Sequence, residues 1–220
     1  MALSGRTRLQ IINLVLPRLR EATVATSSTT VYSTMISTIL DEVKAEIEFA
    51  HRWRDLRNTY SVTAVSGTTA YTFTDAGPYA TILDAWNTTN LNEMKRGNFA
   101  DFNRKFFGVA SVQTGIPTQY LPAGVNSSND LQVDIWPSPS STNVLKFNLY
   151  VPQLALTSDS TVVTIPNDVL VAGMVARAMA ERGDDGDTAA RQEAVYQGLL
   201  ASAIAFEVGH DDSELTWTPE

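Results

Sequence analysis

Two histidines, His51 and His210, and no cysteine limit what chemistry this chain can perform. Without cysteine there is no disulfide framework, thiolate zinc site, iron–sulfur cluster or cysteine nucleophile. The histidines lie far apart in sequence, which leaves little for a metal site, a proton shuttle or a triad. Carboxylates remain. Glu42, Glu46 and Glu48 crowd one stretch, and Glu42 and Glu46 would share a helix face. Carboxylates spaced i,i+4 on an exposed stripe are solvated charge far more often than an acid–base pair. Asp184, Asp185 and Asp187 resemble the start of a calcium loop, but the twelfth position from Asp184 is Val195, where an EF-hand needs glutamate. These aspartates are predicted to form a solvated turn with a helix cap. Arg52, Arg54 and Arg57 cluster around Trp53, and Lys95-Arg96 and Arg104-Lys105 form two further basic pairs. Such groups suit an acidic partner or a phosphate backbone, and cations at a helix C-terminus are also favoured by its dipole. No phosphate-cradling glycine loop, nucleophile elbow or His-Glu-x-x-His pattern occurs. No catalytic, cofactor-binding or metal-ligating residue is assigned, and the chain is expected not to be an enzyme. A hydrolase built on carboxylates alone is the one enzymatic alternative.

The elements that would carry these residues fall into zones. Residues 1–57 read as helical. Leu9, Ile12, Val15, Leu16 and Leu19 make one apolar face, with Pro17 set to kink or shorten the helix. After a small polar run, Tyr32, Ile36, Ile39, Val43, Ile47, Ala50 and Trp53 recur at steps of three and four. The positions between them hold Asp41, Glu42, Lys44, Glu46 and Glu48, predicting a long amphipathic helix with a solvated acidic side.

Residues 58–157 change to alternation and turn signals. Segments 59–65 and 69–74 flank Ser66-Gly67 as a predicted hairpin, and 80–86, 131–136 and 144–151 are further strands. Phe99–Phe107 is a predicted short helix, and 108–124 and 137–143 are predicted loops. Residues 158–208 begin with a possible strand, then return to the helical period. Pro166-Asn167-Asp168 starts one helix, Gly183 closes it, and a second helix runs to about Val208 before Gly209. Residues 209–220 form an acidic tail with Glu214, Leu215 and Trp217. Its tryptophan gives it an anchor either for docking to a partner or for folding back on its own domain.

The expected fold class is α+β: an antiparallel helical bundle from the N- and C-terminal segments with an inserted small antiparallel β sandwich or barrel. Each helical segment lacks the partner face that the other supplies.

The chain has 220 residues, long enough to bury roughly 70% of its unfolded surface. Its formal charge of −8 argues against a grip on nucleic acid built on net positive charge. Its apolar runs are too short to span a membrane. The run after Arg6 and Arg8 is broken by Asn13 and Pro17, unlike a signal peptide, and a cytoplasmic product is expected.

An ordered set of features resembles the head-to-tail adaptor (connector) proteins of tailed bacteriophages, especially short-tailed ones. Phe49-Ala50-His51-Arg52-Trp53 ends the long helix before Tyr71-Thr72-Phe73. Thr114-Gly115-Ile116-Pro117-Thr118-Gln119-Tyr120 follows, then Ile135-Trp136-Pro137-Ser138-Pro139 and Leu149-Tyr150-Val151. Ile165-Pro166-Asn167-Asp168, an alanine-rich helix ending at Gly183-Asp184, and a helix with Tyr196 complete the set, which spans about residues 30–206. Thr74-Asp75-Ala76-Gly77-Pro78 departs from the aliphatic-proline strand end of many members.

The resemblance implies a structural virion protein at the head–tail junction, assembled in the bacterial host's cytoplasm. It implies a homo-oligomeric ring, commonly dodecameric, between the portal protein and a tail nozzle or tail tube protein. Genomic DNA would pass through without specific binding. The extended tail with Glu214, Leu215 and Trp217 is the matching candidate for insertion into the portal. Glu42, Glu46, Asp184, Asp185 and Asp187 are candidates for an acidic channel lining, and Arg52, Arg54 and Arg57 for a basic contact cluster. The alternative from another class is a carbohydrate- or surface-binding β module on a helical stalk, suggested by the aromatic, Asn- and Thr-rich middle.

Overall fold

The computed structural model describes residues 5–183 and 186–211. The architecture is α+β, and the described residues form two compact units. One unit combines the residues up to Leu56 with those from Ala155 onward; the other is Arg57–Leu154.

The helical unit begins with α1 (Arg8–Val15), entered through a reciprocal cap. Thr7 Oγ1 accepts from the Gln10 amide at 3.3 Å, and Gln10 Oε1 accepts from the Thr7 amide at 3.0 Å. Pro17 cannot donate to an α ladder, so the chain tightens into a 3₁₀ turn over Leu16–Leu19. Helix α2 (Val31–Ala50) starts with the same device on Thr30 and Ser33. It stops at Ala50, short of Trp53, the last position of the predicted stripe. His51 is extended, and the Trp53 indole N–H returns to the Ile47 carbonyl at 2.7 Å. That bond satisfies one of the orphan carbonyls of the last turn and buries the indole.

The side of α2 expected to be solvated is not wholly so. Lys44 and Glu48 are only 5% and 3% exposed, and their ion pair spans 2.9 Å. Two opposite charges one helical turn apart can enter a core because each supplies the other's missing solvation.

Helix α4 (Asn167–Glu181) is buried along almost its whole length, from Val169 to Ala176 and again at Ala178. It packs against α1, α2 and α5 (Gly186–Asp211). Gly183, at φ 68°, turns the chain out of α4 in the left-handed conformation that suits glycine. Helix α5 continues through Gly209, since a lone glycine costs only about 1 kcal/mol relative to alanine.

The predicted strand after residue 158 is a single bridge, Thr7 to Val162. The Arg8 amide donates to Thr161 O at 2.9 Å, and the Val163 amide donates to Arg6 O at 2.9 Å. The Arg8 guanidinium adds bonds to Leu156 O, Ser37 Oγ and Asp41 Oδ2. Burial pushes the Asp41 carboxyl up, and the Arg8 and Lys44 charges oppose that shift.

The β unit is a sandwich. One sheet is antiparallel in the order β1 (Arg57–Ala64), β10 (Asn143–Tyr150), β3 (Thr81–Asn87) and β4 (Asn92–Glu93). The other runs β2 (Ala70–Thr72), β8 (Leu131–Trp136), β7 (Gln119–Val125) and β5 (Lys95–Arg96), with β5 parallel to β7. A small parallel pair joins β6 (Thr114–Gly115) and β9 (Ser138–Pro139).

The sheets share a core centred on Phe147, whose ring lies 5.0 Å from Phe73 and 5.8 Å from Tyr120. Ser66-Gly67 is a turn but not a hairpin: β1 pairs with β10, and β2 pairs with β8. The turn therefore carries the chain from one sheet to the other. The register of β10 against β3 shifts between Asn148 and Leu149, where Leu83 of β3 is the extra, unpaired residue of a bulge. Helix α3 (Phe99–Phe107) buries Phe102 but leaves Phe99 and Phe107 outside.

Gly173 of α4 lies where α2 and α5 both close on it. A Cβ there would come 2.7 Å from Val43 Cγ1 and 2.9 Å from the Tyr196 ring. Overpacking of this sort costs about 1–3 kcal/mol, more than the helix-propensity gain of about 1 kcal/mol from alanine. Gly173→Ala is therefore expected to lower the urea midpoint, with a net loss of up to about 2 kcal/mol.

Candidate functional site

Glu42 and Glu46 lie one turn apart on α2, and both turn to Arg177 of α4. Arg177 Nη1 reaches Glu42 Oε2 at 3.3 Å, and Nη2 pairs with Glu46 Oε2. The Tyr196 hydroxyl of α5 donates to Glu46 Oε1 at 3.0 Å. Burial, then this bond to Glu46, holds the Tyr196 phenol well above the usual tyrosine range. The cluster ties three helices together. Its guanidinium does not deprotonate, so it offers no general acid or base chemistry through that cation.

Asp187 sits inside the first turn of α5 and pairs with Arg191 at 2.5 Å. Asp184 and Asp185 lie outside the described residues, as do Glu214, Leu215 and Trp217. Among the described residues, no three His, Asp or Glu side chains gather as a metal site.

Arg52 and Arg54 are exposed beyond the end of α2, and Arg57 is the first residue of β1 in the other unit. Arg54 stands on the rim of a cleft of about 320 Å³ in the helical unit. The 3₁₀ turn Arg54–Leu56, the start of α4 and the second half of α5 form its walls. Trp53, Pro166, Val169, Leu199 and Phe206 give it apolar surface, and Asp55, Asp168 and Glu207 give it carboxylates. Arg54 is the one cation among its lining residues, so the cleft is acidic overall. Its lining holds Ser202 but no histidine, so it offers no serine–histidine pair.

The model of the SU10 adaptor protein family matches residues 6–219. The chain belongs to the SU10 adaptor protein family. It is thus a structural phage adaptor, in line with the head-to-tail resemblance read from the sequence. No curated protein matches it.

An adaptor acts through its surfaces; the structure adds one on α5 that the sequence reading did not single out, and it gives form to another around the Arg104-Lys105 pair. Helix α5 leaves Val195, Leu199 and Phe206 substantially exposed along one side, although the helix is packed elsewhere through Tyr196 and Leu200. Their spacing of four and seven residues was the available signal. In the β unit, α3 presents Phe107, 84% exposed, with Arg104 one turn before it. Asn98 caps this helix by accepting from the Asp101 amide at 2.9 Å. The neighbouring Lys105 is held instead, donating to Gln119 Oε1 at 2.5 Å and lying 4.3 Å from the centre of the Trp136 ring.

The Tyr196–Glu46 bond gives the adaptor a pH signature. A phenol whose value is raised on folding contributes stability that is intact below its unfolded value of about 10 and fades as pH rises beyond it. Tyr196→Phe should cost about 0.5–1.5 kcal/mol at pH 8. Denaturant curves at about pH 11 should bring the variant and the parent together, because only the parent's unfolded state gains from ionising Tyr196.

Proposed function

We propose that this adaptor assembles into a closed ring, commonly dodecameric in proteins it resembles, that joins the portal to the tail of a short-tailed phage. The ring forms part of the channel through which the genome is ejected. The observation that carries the reading is the exposed apolar side of α5, with Val195 51% and Leu199 38% exposed. A subunit with an apolar stripe on one helix gains by meeting a different surface of its neighbour, and such heterologous contacts make a ring when the rotation between copies closes.

The charge of −8 supports a conduit, because acidic walls do not hold phosphates. Glu42, Glu46, Asp184, Asp185 and Asp187 are the proposed channel-facing acids. Arg177 offsets part of the charge of the first two. Arg52, Arg54 and Arg57 are proposed to meet acidic surfaces of the neighbouring components. The tail carrying Glu214, Leu215 and Trp217 is proposed to dock on the portal. The remaining face meets a nozzle or tail tube protein, and assembly takes place in the host cytoplasm.

Negative-stain images of the purified adaptor mixed with portal protein should contain rings; monomers alone at every ratio would refute the assembly. Deleting residues 215–220 should weaken portal binding by at least about tenfold while leaving the melting curve unchanged. Equal binding by the truncated chain would remove the tail from the docking interface.

A further inference from the structure

We infer that the acidic cleft of the helical unit receives Phe107 and Arg104 from α3 of a second copy, as the head-to-tail contact between neighbouring subunits. The inference rests on the ring reading and names the side chains that would make it.

The cleft specifies its occupant. Its apolar surface comes from Trp53, Val169, Leu199 and Phe206, and three carboxylates face one guanidinium on its lining. Such a site takes an apolar side chain with a cation beside it. Its volume of about 320 Å³ exceeds the roughly 150 Å³ in which a benzene ring can be housed.

The chain carries a matching group. Among the described residues, Val31, Leu91 and Phe107 are the most exposed large apolar ones, at 91%, 85% and 84%. Within three residues of Val31 there is no charge, and within three of Leu91 there is only Glu93. Phe107 has Arg104 and Lys105. The stretch from Glu93 to Phe107 holds four cations against two carboxylates, in a chain of net charge −8. Arg104 is exposed and pairs with Asp101 at 2.5 Å, an i,i+3 surface pair that a stronger carboxylate cluster can displace. A basic aromatic knob and an acidic apolar socket on two different surfaces of one chain are the two halves of a heterologous interface.

The absence of native cysteine makes the contact directly testable. Phe107→Cys and Phe206→Cys are introduced into full-length chains singly and together, and oxidised with a copper–phenanthroline reagent. Mixed single variants should form disulfide-linked dimers at least about tenfold faster than Phe107→Cys mixed with a Val31→Cys control. The double variant should give a ladder of higher multiples, because each copy links to the next. Arg104→Glu should slow cross-linking by about tenfold, and Glu207→Arg in the partner chain should restore it. Rates no faster than the control, or a double variant that stops at dimers, would overturn the contact. Rings seen with the portal alongside such a result would leave the ring reading standing; absence of rings would end both.

Discussion

The burial of α4 is the constraint on which the helical unit depends. Its residues from Val169 to Ala176 are all enclosed, so it cannot be stable against one neighbour alone. Helices α1 and α2 come from before the β unit, and α5 comes from after it. At Gly173 the missing side chain lets Val43 of α2 and the Tyr196 ring of α5 close on the same point. Any larger residue would have to push apart two helices that belong to opposite ends of the chain. The pairing of residues 6–9 with residues 159–163 fastens the same two chain segments a second time.

The charges divide into those used inside the subunit and those left over. Lys44–Glu48 is buried, Arg8 bridges Ser37, Asp41 and Leu156, and Arg177 serves both Glu42 and Glu46. The buried pair lies within α2 and costs desolvation, whereas the Arg8 and Arg177 contacts join separate stretches of the helical unit. The cleft carboxylates Asp55, Asp168 and Glu207 are different: none of them has a partner role in that internal scheme. An acidic chain thereby keeps its surplus on its surfaces, where it bears on what the subunit meets.

Much of the fold was legible because local chemistry and tertiary packing agree. The limits of α3 follow from Asn98 as a cap and Gly108 as a stop, and β8 follows from its alternation before Pro137. Strand β7 was hidden in a predicted loop because Pro122 and Gly124 argue against a strand; they sit at a register shift against β8, where a missing donor is tolerated. The Ser66-Gly67 turn has hairpin chemistry, but its flanking strands find partners far away in sequence, which no local signal carries. Lys44 and Glu48 have the spacing of a surface pair, and only packing places them inside. The cleft was not legible either, since its walls come from three separate stretches of chain. The adaptor family was legible through the order of weak features along most of the chain, none of them sufficient alone.

The β unit enters the helical unit's chain at one point and leaves it at another, between Leu56 and Ala155. From the viewpoint of the helices it is a loop, and the entropy of closing a loop grows only with the logarithm of its length, about 0.6 kcal/mol per doubling. A change in the length of that insert therefore costs the folding of the helical frame little, so the size of the β unit is set by what its surfaces must meet and not by the stability of the helices that carry it.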